Sequence, residues 1–348
     1  MANMEDLKTK VADQIETSSA ASTIGRASAI ALGLVLALIC VLGFIWDSEP
    51  ALFNVTEVTD QMLAERQVQR VTGSTTVAVM IEISDVLLSK RGGFLTNDIM
   101  PPGTWMDNVP NWEFGVLVQL RDMARTMRNN LSRSQSQSTE DAGLVAAENQ
   151  FYFDNNSWFL PETESEYRKG TRALEDYITR LGNTNKADAQ FYARADNLRI
   201  WLSEVETRLG SLSQRLSASV GKRQIDISLA GDAAATQSTA TVSDAQVKTP
   251  WTQLDDVFYE ARGTTWALIH LLRAIEIDFK DVLDKKNALV SLQHIIRELE
   301  PTQETLWSPI ILNGSGLGLV ANHSLVMGSH ISRANAAIID LRRLLEDG

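Results

Sequence analysis

Cysteine is almost absent from this chain of 348 residues. Its single cysteine, Cys40, lies inside an apolar run near the N-terminus. The residues after that run have no thiol, so they neither form an internal disulfide nor mispair in an oxidising compartment. This composition is compatible with an exported domain. A cytosolic domain can also lack cysteine, so this composition supports an exported location but does not establish it.

Basic residues are scarce relative to acidic residues. The chain has 32 lysines and arginines against 44 aspartates and glutamates, which gives a net charge of −12 at pH 7. A surface with this charge repels phosphate backbones, and no basic patch with interleaved aromatic residues occurs in the sequence. Composition therefore argues against a nucleic-acid partner, and it disfavours electrostatic adhesion of the whole domain to anionic lipids.

Motifs that bind cofactors or metals are also missing. Residues 314–318 (GSGLG) are rich in glycine but lack the Lys-Ser/Thr ending of a phosphate-binding loop. No Gly-x-Ser-x-Gly motif occurs. His323 and His330 are seven residues apart, which separates them by about 10 Å along a helix, too far to hold one ion alone. We therefore expect no cofactor, no metal ion and no enzymatic activity.

Acidic residues leave one class of catalysis open. Paired carboxylates are supplied by Asp98 with Asp107, and by Glu162, Glu164 and Glu166. Glycoside hydrolysis needs two carboxyl groups about 5 to 10 Å apart across a cleft, and sequence alone does not give that separation. Solvated surface charges are the plainer interpretation. A cell-wall hydrolase that uses a carboxylate pair is therefore the second alternative function.

One long apolar run dominates what is present. Residues 27–46 (ASAIALGLVLALICVLGFIW) contain no charged side chain, and their number is about what a helix needs to cross the hydrocarbon core of a bilayer. The run predicts a transmembrane anchor. A cleaved signal peptide is the alternative, but such peptides have shorter apolar regions and a small-x-small cleavage site, which is missing here. Gly25, Ala29, Gly33 and Ala37 form one face of small residues, which favours self-association unless the spacing is a coincidence.

Basic residues near the run predict its orientation. Lys8, Lys10 and Arg26 precede it, whereas the first basic residue after it is Arg66. The side with more basic residues stays in the cytoplasm. We therefore expect a cytoplasmic N-terminus and a main domain outside the cytoplasm, in the periplasm if the source is a Gram-negative bacterium. The predicted segments are a short cytoplasmic tail (1–26), the anchor (27–46), a helical periplasmic region with aromatic loops (47–220), a flexible linker or long loop (221–250), and C-terminal helices packing on the same bundle (251–348).

Helical periodicity prevails beyond the anchor, and we predict an all-α fold in which the transmembrane helix is followed by an elongated, mostly antiparallel helical bundle. Helices are predicted for residues 55–70 and from 251 to about 284, among others. Residues 75–90 are the least certain helix, because their apolar residues also alternate as in a strand. The clearest pattern lies in residues 187–220, where six apolar residues form a heptad seam: Leu198, Leu202, Val205, Leu209, Leu212 and Leu216. A bundle helix that faces its own core is favoured over an intermolecular coiled coil.

Aromatic side chains concentrate in the predicted loops. The candidates for ligand contact are Phe94, Trp105, Trp112, Tyr152, Trp158 and Trp307. Tryptophan and tyrosine beside asparagine and aspartate can stack on a sugar or a peptide and hydrogen-bond to it. They can equally fill the ends of the bundle, and we favour that interpretation.

Several segments resemble one known family. They are residues 92–98 (GGFLTND), 110–114 (PNWEF), 132–138 (SRSQSQS), 208–220 (RLGSLSQRLSASV) and 321–342. The family is domain of unknown function 2333, and the resemblance implies a single-pass inner-membrane protein of Gram-negative bacteria. It implies no activity and no catalytic residues.

We therefore expect a non-enzymatic envelope protein, a periplasmic helical scaffold or assembly module. Its partners would be membrane lipid through the anchor and either further copies of itself, as a homo-oligomer, or another envelope protein. The first alternative is a sensory module that recognises a cell-wall or peptide ligand through the aromatic loops.

Overall fold

The computed structural model describes residues 2–134, 138–183, 188–224, 245–308 and 310–347. Within these ranges the chain forms eleven α-helices, which confirms the predicted all-α fold. The helices are α1 (Ala2–Trp46), α2 (Val55–Arg66), α3 (Ser74–Ser89), α4 (Asn108–Thr126), α5 (Ala142–Phe151), α6 (Thr163–Leu181), α7 (Ala195–Ser217), α8 (Leu254–Asp278), α9 (Lys280–Lys285), α10 (Leu289–Leu299) and α11 (His323–Asp347).

The predicted linker and one polar motif fall partly outside these ranges. Of residues 221–250, positions 225–244 lie outside the described residues, as do positions 135–137 of the SRSQSQS motif. On either side of residues 225–244, β1 (Lys222–Gln224) pairs antiparallel with β2 (Ala245–Val247). These three-residue strands bring the two edges of the gap together.

Residues 74–89 form a helix and not a strand. Val77, Val79, Ile81 and Ile83 of α3 are all fully buried, although they point in different directions around the helix. This is because α3 is surrounded by α2, α4, α6 and α8. Residues 74–81 are buried on every side, so this half of α3 has no polar face and its apolar residues do not show the helical period, whereas Asp85 and Ser89 in the second half are exposed.

Three predicted helices have different ends in the structure. The helix predicted for 55–70 stops at Arg66, because Gln67 has a left-handed φ of 52° and its N–H bonds back to Ala64 O at 3.1 Å. The helix predicted for 187–220 begins only at Ala195. The helix predicted for 251–284 ends at Asp278, whose carboxylate accepts hydrogen bonds from the backbone and hydroxyl of Thr76 at 2.7 Å.

Two glycines allow the closest helix crossing in the body. A methyl group on Gly263 of α8 would lie 1.9 Å from the carbonyl oxygen of Trp112 on α4. A methyl group on Gly115 of α4 would lie 2.2 Å from the carbonyl oxygen of Glu260. The backbones of α4 and α8 therefore touch where only hydrogen atoms stand between them.

One hydrophobic core includes described residues from both sides of positions 225–244. It runs from Val55 in α2 to Leu345 in α11, and its largest fully buried side chains include Trp112, Trp201 and Trp266. No described residue of α1 belongs to it. We call the residues from 55 onward the body. Arg26–Trp46 of α1 is long and apolar enough to cross a membrane, and its apolar window is not buried against the body.

Candidate functional site

The six predicted aromatic residues divide into buried and exposed groups. Phe94 and Trp112 are 3% and 0% exposed and belong to the core, so their side chains do not face solvent. Phe94 packs edge-on against Tyr167, and the ring of Trp112 lies tilted against that of Trp266. The other four project outward: Trp105 is 64% exposed, Tyr152 45%, Trp158 54% and Trp307 92%.

A buried ion pair holds the loop that carries Phe94. Glu113 of α4 accepts hydrogen bonds from the backbone N–H of Leu95 at 2.8 Å and of Thr96 at 2.9 Å, and from the Thr96 hydroxyl. Lys90 at the end of α3 pairs with the same carboxylate, and both side chains are almost fully buried. Burial raises the pKa of Glu113, while Lys90 and these hydrogen bonds oppose that shift. Four partners fill the acceptor sites of the carboxylate, so Glu113 positions the loop and has no capacity left for a substrate.

The chain that leaves α1 is bonded to the body, and we call residues 49–53 the joint. The Nε atom of Arg262 lies 2.8 Å from both carboxylate oxygens of Glu49, and its Nη2 atom also pairs with that carboxylate. The remaining Nη1 donates to the carbonyl oxygens of Thr302 and Glu304 at 2.9 Å. The Arg262 side chain is only 8% exposed, so this bidentate pair is largely shielded from water.

Two further residues of α8 bind the backbone of the joint. The N–H of Phe53 donates to His270 Nε2 at 3.0 Å, and its ring stacks on the imidazole with centroids 3.8 Å apart. Because Nε2 accepts, the ring proton lies on Nδ1 and is donated to Trp266 O at 2.8 Å. Burial lowers the pKa of His270 to about 3, so the ring is neutral at pH 7. The indole N–H of Trp266 lies 3.4 Å from Ala51 O.

The last turn of α1 also contacts the body. The indole ring of Trp46 covers Gly92, where a methyl group would lie 2.8 Å from the ring. Gly92 has a positive φ of 87°, so a larger residue there would strain the backbone as well. A methyl group on Gly43 would lie 3.4 Å from Pro102 Cβ, in ordinary contact. The body therefore meets α1 over its final turn and not only through the joint.

A cleft of about 720 Å³ opens beside the joint. Phe44 and Trp307 line its apolar part, and Glu49, Arg262 and Tyr259 line its polar part. Glu49 and Arg262 neutralise each other, and Asp47 adds a further carboxylate, whose pKa is raised by burial. Burial, together with the negative charge of Glu49, raises the pKa of the Tyr259 hydroxyl to about 12. Glu49 and Arg262 are thus occupied with each other, and the Tyr259 hydroxyl is not activated as a nucleophile.

Among the predicted carboxylates, Asp98 and Glu164 come close to each other. Burial and the charge of Glu164 raise the pKa of Asp98, and Asn97 Nδ2 donates to Glu164 at 2.8 Å. Asp107 caps α4 by accepting from the N–H of Asn108, and Glu166 pairs with Lys169. Across the described ranges, no group of three histidine, cysteine, aspartate or glutamate residues is placed to hold a metal ion.

Comparison with known proteins places the chain in a family. The model of a bacterial family described as "Uncharacterized protein conserved in bacteria (DUF2333)" matches residues 19–348. No curated protein and no solved structure matches. The chain belongs to the DUF2333 family. The matched range includes the apolar part of α1, the joint and the body, so the joint is part of what the DUF2333 model describes.

The heptad seam of this DUF2333 protein faces its own core. All six seam residues of α7 are at most 4% exposed, and α7 packs along α11. The small-residue face of α1 is open by contrast. Ala29 and Ala37 are exposed, and nothing lies within 4 Å of a methyl group built on Gly33. Gly25 lies outside the residues whose side chains the structure describes.

Sequence reasoning missed the joint of the DUF2333 chain. One signal was present: Arg262 stands between Ala261 and Gly263 in a mostly apolar stretch, and a charge on a buried helix requires a partner. The partner, Glu49, lies more than two hundred positions earlier in the sequence. No local pattern connects two residues so far apart.

Proposed function

We propose that this protein is a non-enzymatic, membrane-anchored envelope protein whose body serves as a periplasmic scaffold or assembly module. In this proposal α1 spans the bacterial inner membrane once, and the N-terminus is cytoplasmic. The observation that carries it is the joint, in which Arg262 and His270 bind the segment directly after an unburied apolar helix. A stiff connection suits a protein that presents a surface at a fixed height above a membrane.

The contacts of the last turn of α1 support a retained anchor over a cleaved signal peptide. Cleavage after residue 46 would leave the joint in place but would remove Trp46 from Gly92 and uncover Pro102, which is buried. Trp46 also suits the interfacial end of a membrane helix. The filled acceptor sites of Glu113 and the mutual pairing of Glu49 with Arg262 support a structural role for the charges around the joint.

Fractionation and reporter fusions test the anchor and its orientation. The full chain is expected in the membrane pellet after alkaline extraction, and a C-terminal alkaline phosphatase fusion is expected to be active whereas a C-terminal green fluorescent protein fusion is dark. A chain released into the supernatant would contradict the anchor. A bright green fusion with inactive phosphatase would contradict the periplasmic location.

Light scattering in mild detergent tests self-association. Gly33 lies on the small-residue face of α1, and Ala31 lies on the opposite face, since two residues rotate a helix by about 200°. Replacing Gly33 by Ile is expected to lower the mass of the complex, whereas the matched change Ala31→Ile leaves it unchanged. A monomeric wild-type chain would contradict the homo-oligomer and direct the search to another envelope protein, by affinity purification from native membranes.

A sensory module remains the second candidate because of one exposed pair. Trp158 and Phe159 stack with ring centroids 5.3 Å apart, and both are more than half exposed. Exposed stacked rings can hold a sugar face. Titration of the full chain in detergent with cell-wall fragments should then quench its tryptophan fluorescence, and Trp158→Leu should remove the response. An unchanged spectrum of the wild type would rule out this candidate.

A further inference from the structure

One group of exposed apolar residues of the body lies around the end of α1. Ile99, Met100 and Trp105 are 56%, 71% and 64% exposed, and they belong to a loop whose sequence from 99 to 105 (IMPPGTW) has no charge. Pro102 at the centre of this loop lies next to Gly43 of α1, where an added methyl group would be 3.4 Å from Pro102 Cβ. The loop therefore lies directly against the last turn of the apolar helix.

Three more loops extend this surface. Residues 158–160 (WFL) are 54% to 79% exposed, and they are joined to the first loop by the hydrogen bond from Asn97 Nδ2 to Ser157 O at 2.9 Å. Trp307 lines the cleft that also contains Phe44 of α1. Trp251, 77% exposed, lines a smaller cleft with Asp107 and Asn108, which closely follow the first loop in sequence. We call these four loops the rim.

The position of α1 fixes the depth of the rim. Gly43 comes three residues before Trp46, which places it about 4.5 Å farther into the membrane along a helix that crosses it. Any residue that contacts Gly43 lies at that depth, so Pro102 would reach the boundary between headgroups and acyl chains. Each of the four rim loops also presents an exposed tryptophan, the side chain that concentrates at that boundary in membrane proteins.

We propose that the rim binds the phospholipid bilayer itself, by inserting apolar side chains of the 99–105 loop into the interfacial layer beside α1. This inference rests on the proposed function, because it requires α1 to cross a membrane. The loop is flanked by Asp98 and Asp107. Acidic flanks repel anionic headgroups, so the attraction is apolar, and on zwitterionic lipid it does not depend on salt.

Quenching by labelled lipids tests the proposal on the full chain in zwitterionic nanodiscs. In a Cys40→Ser background, a single cysteine replaces Trp105 or, in a second variant, Trp158, and carries an environment-sensitive fluorophore. Lipids with a quencher near the top of the acyl chain are expected to quench both labels several-fold more than aqueous iodide does. Neither the replacement of zwitterionic by anionic lipid nor high salt should strengthen the quenching.

The matched control is an exposed apolar residue far from the rim. Val290 in α10 is 73% exposed and lies one turn before Gln293, which bonds to Glu276 near the far end of α8. Glu276 is fourteen residues beyond Arg262, or about 21 Å farther along that helix. A label at Val290→Cys is expected to be quenched by iodide and not by lipid. Equal behaviour of the rim and control labels would overturn the proposal.

The native Cys40 separates a failure of the rim from a failure of the anchor. It is exposed on α1 six residues before Trp46, so a label there is quenched by lipid if the helix spans the bilayer. Lipid quenching at Cys40 without quenching at the rim would overturn this inference and leave the anchor standing. No quenching at Cys40 would contradict the anchor as well. Rim labels protected from both lipid and iodide would overturn the inference in favour of a protein contact.

Discussion

Breaking the pair between Glu49 and Arg262 should uncouple the joint at a large cost in stability. Removing one member of a buried ion pair typically costs about 3 to 5 kcal/mol, because it leaves the other charge uncompensated. Arg262→Met removes the guanidinium that reaches both oxygens of Glu49, and it also removes a donor to the carbonyl groups of Thr302 and Glu304. We expect the free energy of unfolding to fall by about 3 to 5 kcal/mol.

The smaller change Glu49→Gln should lower the free energy of unfolding by less than Arg262→Met does. The amide oxygen still accepts from Arg262, so the loss is closer to the value of a charged hydrogen bond, about 1.5 to 3 kcal/mol. In the double variant neither charge is left without a partner. The double variant should therefore lose clearly less free energy of unfolding than the two single variants lose together. Urea unfolding of the full chain in detergent, followed by tryptophan fluorescence, measures all four states of this cycle.

A surface pair provides the control for this cycle. Arg343 and Asp340 in α11 lie 3.4 Å apart, with both side chains 71% exposed. Exposed pairs contribute about 0 to 1 kcal/mol, so Arg343→Met should change stability little. Additive losses at Glu49 and Arg262, or a loss at Arg262 no greater than at Arg343, would refute the reasoning that the joint is a buried and coupled pair.

Three further substitutions should each change the free energy of unfolding in a definite direction, measured in the same assay. The pKa of His270 in the folded chain, about 3, lies below its ordinary value of 6.5. Its contribution to stability is therefore complete above pH 6.5 and is lost as the pH falls. Well below pH 6.5 the free energy of unfolding should fall by about 1.4 kcal/mol per pH unit. His270→Gln retains an acceptor for Phe53 and should remove this loss between pH 6.5 and 5, whereas an unchanged slope would contradict the assignment. Gly263→Ala should destabilise the chain strongly, because its methyl group would meet Trp112 O at 1.9 Å. Gly210→Ala, whose nearest contact would be 3.6 Å away, should instead stabilise α7 by up to about 1 kcal/mol, and a similar effect of both alanines would contradict the close crossing.

Local patterns predicted the helices that have two distinct faces. In α7 the seam from Leu198 to Leu216 is buried along its whole length, because one face of this helix meets the core and the other meets solvent. The helix predicted for 75–90 is confirmed as α3, but its pattern was less clear, because the buried first half of this helix shows the alternation of a strand. Periodicity failed at Gln67, because a left-handed residue other than glycine ends α2 without a recognisable signal.

The candidate site was less predictable than the fold, because it is built from contacts between distant residues. Exposed and buried aromatic residues look alike in sequence: Trp105 and Trp112 are seven positions apart, yet one is 64% exposed and the other is fully buried. Trp112 packs against Trp266 of α8, which is distant in sequence, whereas Trp105 projects outward from its loop. The partners of Arg262 and His270 are likewise set by how α8 packs, which no pairwise spacing in the sequence encodes.

The joint and the rim together argue against a tethered body. A flexible tether needs a run of glycine and serine that binds nothing, so that the attached domain can sample many heights and orientations. Here only the residues between Trp46 and Val55 separate α1 from the body, and the side chains of Arg262, Trp266 and His270 bind the joint within that interval. If α1 spans a bilayer as proposed, the body stays at the membrane surface in one orientation, with the rim turned toward the lipid. A partner would then have to come to the membrane to reach it, and only faces away from the rim, such as the one around Val290, would be free to meet that partner.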